Sequence, residues 1–164
     1  MRLLLVCLGN ICRSPMAEGA LRARLQGARL AHRVEVDSCG TGDWHVGDPP
    51  DPRAIRHAAG HGVDIAGLRA RTLCNADFDA FDVLLCADAS TLGIVESRRP
   101  HGSPAQAALL LDWAGSASGD VPDPYTGDAA GFESVWHQVD AAAAAIVARI
   151  AGGRSDGVMP RDRA

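Results

Sequence analysis

Cys7 and Arg13 are separated by five residues in the stretch Cys7-Leu8-Gly9-Asn10-Ile11-Cys12-Arg13-Ser14-Pro15. Five residues can curl so that successive backbone N–H groups point inward and cradle an anion. Arg13 closes such a ring with a planar fork that fits two phosphate oxygens. Cys7 then sits at the floor, where the cradle, the arginine and the positive end of a following helix all favour the thiolate form. Gly9 permits a positive backbone dihedral in the curl. Asn10 tolerates a left-handed conformation and can brace the loop through its side chain. Ser14 is near enough to hydrogen-bond the Cys7 sulfur. The segment is not a nucleotide-binding loop, because the Gly-Lys-Ser/Thr ending is missing. A thiolate that attacks phosphorus also needs an acid for the leaving oxygen and a base for the water that follows, and one carboxyl group can do both in turn. Asp123, stiffened between Pro122 and Pro124, is the candidate. Asp120 and Asp128 read as solvated or capping neighbours.

A cysteine and an arginine at this spacing occur by chance in many chains, so the flanking elements decide. The apolar run 3–7 predicts a parallel strand buried on both faces. Beyond it, apolar residues at 17, 20, 21 and 25 predict a helix, with Ser14 as its N-cap and Pro15 at its first position. Residues 34–39 alternate like a more exposed strand. Residues 40–52 hold turn formers, and a helix follows over 52–61. A second buried strand is expected over 81–87, a helix over 89–96, and a strand over 107–111, whose Ala and Leu are ambiguous. Residues 120–131 read as a loop, 132–150 as a long Ala-rich helix, and 153–164 as a flexible tail. Strands alternating with helices imply a parallel sheet covered on both faces, with its site at the carboxyl ends of the strands. The cysteine-to-arginine loop lies there.

The rest of the chain narrows the choices. Its 164 residues suit one domain, and 47% apolar with 22% charged residues is ordinary for a globular protein. A net charge of -4 without any Lys/Arg run disfavours nucleic acid as a partner. No apolar run reaches membrane-spanning length, and the short N-terminal run is not a signal peptide, so a cytoplasmic protein is expected. The cysteines Cys7, Cys12, Cys39, Cys74 and Cys86 are odd in number and form no CxxC pair, which disfavours a disulfide framework and a zinc site. Cys39, Cys86 and, less clearly, Cys74 read as small core residues.

The loop, together with Asp123-Pro124-Tyr125, closely resembles the signature and acid loops of the low-molecular-weight protein tyrosine phosphatases. Asp43-Trp44-His45-Val46-Gly47 and Pro49-Pro50-Asp51-Pro52-Arg53-Ala54 resemble that family's variable loop, and the likeness covers roughly residues 1–150. It implies a single three-layer, flavodoxin-like domain with a four-stranded parallel sheet and helices on both faces. It implies hydrolysis of phosphotyrosine through a phosphocysteine on Cys7, with Arg13 binding phosphate and Asp123 acting as acid and then base. Leu8, Gly9, Asn10, Ile11, Cys12 and Ser14 would form or support the phosphate loop. Trp44 and Tyr125 would wall the ring slot, without metal or cofactor. Phosphotyrosine proteins are the expected partners, a cognate bacterial tyrosine kinase among them, and the chain is expected as a monomer or weak dimer. Cys12, beside Cys7, is a candidate to join it in a protective disulfide.

Two positions depart from the family pattern. Leu68 stands where members often carry a His that supports the loop Asn, so the brace on Asn10 is expected to be weaker or differently made, and Glu18 to lose its partner. Thr126 replaces a frequent aromatic, which bears on substrate preference. Three rivals fit less well. An arsenate reductase needs a cysteine relay on a mobile loop, which Cys74 and Cys86 do not supply. An arginine phosphatase of this scaffold resembles the loop with Thr in place of Ile11. A module that only binds phosphotyrosine would lack one of Cys7, Arg13 or Asp123.

Overall fold

The structure, a computed structural model, describes residues 1–153. The tail expected over 153–164 therefore lies, apart from Gly153, outside the described residues. The elements run β1 (Arg2–Cys7), α1 (Arg13–Gly27), β2 (Glu35–Gly40), α2 (Pro52–Gly60), α3 (Asp77–Ala80), β3 (Val83–Cys86), α4 (Ala89–Arg98), β4 (Gln106–Leu109), α5 (Leu110–Ala114) and α6 (Ala129–Ala151).

The four strands form one parallel sheet in the order β2-β1-β3-β4. The run Leu3-Leu4-Leu5-Val6 explains why β1 is central, since it feeds both sides of the sheet. Leu3 and Leu5 join the core built with α1, α5 and α6. Leu4 and Val6 join the second core, with Phe78, Phe81 and Val95 on the opposite face. Period-two alternation between two apolar layers makes the expected three-layer α/β domain. The chain moves from β1 out to β2 and then back across to β3. The carboxyl ends of β1 and β3 thus flank the switch point where open α/β sheets bind ligands.

Local differences from the expected elements have physical reasons. The first helix begins at Arg13, with Cys12 as its cap residue and no side-chain cap bond. Ser14 is therefore inside the first turn, and its hydroxyl is directed at Cys7 instead of capping. Pro15 is tolerated there because N–H groups of a first turn have no intrahelical acceptor. The last strand is shorter than expected. Leu110 and Leu111 open α5, which ends at Gly115 with φ +71°. In α6, Phe132, Val135, Trp136, Val139, Ala143, Ile146 and Val147 are buried at helical spacing, as the pattern predicts. Cys39 and Cys86 are fully buried, whereas Cys74 is exposed and is not a core residue. Among the described residues, no helix is long and apolar enough to cross a membrane.

Candidate active site

The loop from Cys7 to Arg13 is held from outside by its carbonyl groups. The Cys7 carbonyl accepts from Thr41 N–H at 2.9 Å and that of Leu8 from Gly42 N–H at 2.9 Å. The Ile11 carbonyl accepts from Asp51 N–H at 2.8 Å, and that of Cys12 from Met16 N–H at 3.2 Å. Among the described residues, the N–H groups of Leu8 to Cys12 donate to no backbone carbonyl. Carbonyls bonded outward with amides left free are what an anion cradle requires. Gly40 lies against the back of the loop. A Cβ there would stand 2.7 Å from the Leu8 carbonyl oxygen and 3.2 Å from Asn10 N, and backbone cannot yield.

One amide fixes the curl. Asn10 adopts φ +56°, the left-handed region that Asn tolerates better than most residues. Its Nδ2 donates to Ser14 Oγ and to Ser38 Oγ, each at 2.9 Å. Its Oδ1 accepts from Arg71 N–H at 2.9 Å. Since Ser14 Oγ accepts from Asn10, its own proton is available to Cys7 Sγ at 2.9 Å, the nearest partner beside the Cys39 carbonyl at 3.4 Å. The brace does not use Leu68, which is half-buried against the core. It is differently made, through the backbone of Arg71, whose guanidinium is tied to Asp37 and Asp77 at 3.0 Å each. The expectation that Glu18 loses its partner is corrected. Glu18 is buried, accepts from Ser38 Oγ and meets Arg22 at 2.7 Å. Burial pushes its pKa up against the opposing pull of Ser38 and Arg22. Asn10→Ala leaves the half-buried Arg71 N–H without its acceptor and removes both hydroxyl contacts. It is expected to lower stability to urea by roughly 2–4 kcal/mol and kcat/KM by about ten- to a hundredfold through misplacement of the loop. An Asn10→Ala protein with wild-type kcat/KM would show that the brace does not hold the loop.

Arg13 is only 4% exposed, and its Nη1 is engaged by the surrounding protein. Its Nη1 donates to Asp88 Oδ2 and to the Val121 carbonyl, the latter at 3.1 Å. Its Nη2 lies 3.6 Å from Asp123 Oδ2. Asp88 is also the N-cap of α4, accepting from Thr91 N–H at 2.7 Å. Burial would raise its pKa, but the bonds from Thr91 and Arg13 outweigh it and hold the carboxyl below its ordinary range. Asp88 was not foreseen as a site residue. An Asp just before a helix is an ordinary cap residue type and carries no signal of the arginine 75 residues away.

Asp123 is half-exposed at the mouth, and its Oδ1 accepts from Tyr125 N–H at 3.1 Å. Arg53, in the first turn of α2, donates to the Tyr125 carbonyl at 2.9 Å and lies over the Tyr125 and Phe132 rings. Asp51, the N-cap of α2, pairs with Arg53 at 2.9 Å. Asp120 accepts from Ala89 N–H and Asp128 caps α6, as their reading as capping neighbours allows.

These parts enclose a cleft of about 290 Å³. Cys7, Arg13, Leu8, Gly9, Ile11 and Cys12 form its floor, and Trp44, His45, Asp123 and Tyr125 its walls. Trp44 and Tyr125 are large, exposed rings. His45, over Gly9, is a wall residue the sequence reading did not single out. Asn10 and Ser14 lie beneath the floor and do not line the cleft. Burial, then the nearby negative groups Asp51, Cys7 and Asp123, push the Cys12 thiol up to about 12. Cys12 therefore remains a neutral thiol at pH 7. The arrangement places one sulfur, one guanidinium, a ring of free amides and one carboxyl around a single small volume, which is the equipment for transferring a phosphoryl group to sulfur and then to water.

Comparison with known proteins agrees with this geometry. A family model described as low molecular weight phosphotyrosine protein phosphatase matches residues 2–155. The chain is 42% identical over 140 residues to the low molecular weight phosphotyrosine protein phosphatase of Schizosaccharomyces pombe, covering 84% of this chain and 89% of that protein. It is 41% identical over 155 residues to the low molecular weight protein-tyrosine-phosphatase of Streptomyces coelicolor, covering 91% and 93%. The crystal structure of YfkJ from Bacillus subtilis superimposes with a TM-score of 0.85 at 33% identity, over 94% of this chain and 97% of that one.

Proposed function

The chain belongs to the low molecular weight phosphotyrosine protein phosphatase family, a family of metal-independent hydrolases that work through a phosphocysteine, and on that premise we propose how its residues share the reaction. The phosphate of a phosphotyrosine seats on the free amides of residues 8–12, with the open edge of the Arg13 guanidinium on two of its oxygens. The ring stands between Trp44 and Tyr125. Cys7 Sγ attacks phosphorus while Asp123 protonates the departing tyrosine oxygen, so the P–O bond breaks as the P–S bond forms. Asp123, now a carboxylate, takes a proton from water. That water attacks phosphorus, the P–S bond breaks, and inorganic phosphate leaves with the sulfur restored as thiolate. Ser14 holds the sulfur, Asp88 holds Arg13, and Asn10 holds the loop.

The observation that carries this reading is the loop between Cys7 and Arg13, in which the carbonyls of Cys7, Leu8, Ile11 and Cys12 are bonded to surrounding backbone while, among the described residues, the N–H groups of residues 8–12 donate to no backbone carbonyl. Five free cysteines suit a reducing, cytoplasmic setting. The proposed substrates include the phosphotyrosine segment of a cognate bacterial tyrosine kinase, met by a monomer or weak dimer. The test compares peptides bearing phosphotyrosine, phosphoserine and phosphoarginine in metal-free buffer. Phosphotyrosine is expected to be cleaved best. The aromatic walls require a flat ring at the full depth of the cleft, and Ile11 offers no hydroxyl to a guanidino group. Preference for phosphoserine or phosphoarginine overturns the assignment of the slot.

A further inference from the structure

On the far side of α2 and α6, three imidazoles converge on one carboxylate. Glu133 Oε1 lies 2.6 Å from His61 Nε2 and 3.1 Å from His137 Nε2. Its other oxygen meets His57 Nδ1 at 2.9 Å. One ligand atom from each of His61, Glu133 and His137 lies within 4.8 Å of the other two. None of these residues lines the phosphate cleft, and the proposed reaction uses none of them.

The elements set this geometry. Glu133 and His137 are four apart on α6, so they share one helix face. His61 is the residue that ends α2. The rings are held by stacking, His61 on Trp136 at 5.2 Å and His57 on Phe132 at 5.9 Å. His57 and His61 each meet a different oxygen of the Glu133 carboxyl group through a ring nitrogen. Two imidazoles with one carboxylate favour a borderline ion such as zinc over magnesium or calcium, which prefer all-oxygen shells. Zinc bonds of about 2.0–2.1 Å in a tetrahedron set ligand atoms a little over 3 Å apart. The ligand atoms here already lie within 4.8 Å of one another, on side chains that are exposed or half-buried and so have room to turn.

We propose that His61, Glu133 and His137 form a zinc site that ties the end of α2 to α6. Water fills the fourth position, and His57 orients Glu133 from outside the coordination shell.

The test uses the full chain, stripped of metal and titrated with Zn²⁺ and, for its spectrum, with Co²⁺. Wild type, His137→Ala and Glu133→Gln are compared. His137 is largely exposed, so its loss leaves the fold intact, and turnover measured in chelator checks this for both variants. The expected result is one bound equivalent whose cobalt spectrum lacks a sulfur-to-metal charge-transfer band. Affinity should be at least about tenfold weaker in each variant, since even outer-shell partners of metal ligands are worth ten- to a hundredfold. The zinc-induced rise in Tm should vanish with it. Unchanged affinity in both variants overturns the proposal and leaves a hydrogen-bonded cluster only. A charge-transfer band that disappears in Cys7→Ser places the metal on the cysteines and overturns it equally.

Discussion

Cys7→Ser is expected to abolish hydrolysis of phosphotyrosine, by about four orders of magnitude or more, the scale seen when a covalent nucleophile is removed. The reason is specific to this pocket. Cys7 ends β1 with its sulfur 2.9 Å from a serine hydroxyl, below a ring of amides. Sulfur is intrinsically the better nucleophile, and no base is hydrogen-bonded to this position to take the proton of a hydroxyl, which a serine would need. The ring of amides and Arg13 are untouched, so phosphotyrosine should still bind. The measurement is single-turnover release of tyrosine beside peptide affinity. Loss of turnover with binding kept identifies Cys7 as the nucleophile. Persistent turnover in the variant would remove it from the reaction and leave the loop a mere cradle.

Asp123→Asn is the second large effect. An amide can neither give a proton to the leaving oxygen nor take one from water, so kcat should fall by about 10²–10⁴-fold. The two roles separate experimentally. Tyrosine, with a phenol pKa of about 10, is a leaving group that needs the acid. An aryl phosphate with a much more acidic phenol does not. On such a substrate the variant should release one equivalent of phenol in a burst and then stall, because the phosphocysteine still lacks its base. A variant that turns over the activated substrate steadily at the wild-type rate would show that another group activates the water. The site makes Asp123 the candidate because it is the carboxyl at the mouth, 3.6 Å from Arg13, with the Asp88 carboxyl already bonded to that same arginine.

The parts of the site that lie close together along the chain were readable. Cys7, Arg13 and Ser14 sit within eight residues, between a run of Leu and Val and a helix, and their types alone point to phosphate. Asp123 was readable through its two prolines. What could not be read came from across the fold. Asp88, Ser38 and Arg71 are ordinary residue types, and only the folded sheet brings them to the loop. The Leu68 departure pointed to a brace that is weaker or differently made, and which of the two was unreadable for a related reason. Sequence patterns compare side chains, whereas the acceptor of Asn10 is filled by the Arg71 backbone N–H, which any residue but proline supplies. Ser14 before Pro15 looked like a cap because that pair often is one. Here a buried sulfur competed for its hydroxyl and won. The turn-rich approach to α6 hid the way Arg53 ties the acid loop to α2.

The Asn10 brace also bears on the order in which the molecule assembles. Its partners lie 4, 28 and 61 residues along the chain. Long-range contacts of this kind close late, after β2 and the segment around Arg71 have docked on β1, because the intervening chain must first lose its freedom. A half-made chain therefore carries the cysteine and the arginine without the ring of amides between them. Catalytic competence in this protein is thus a property of the finished domain, and a nascent copy still on the ribosome has no means to strip phosphate from its neighbours.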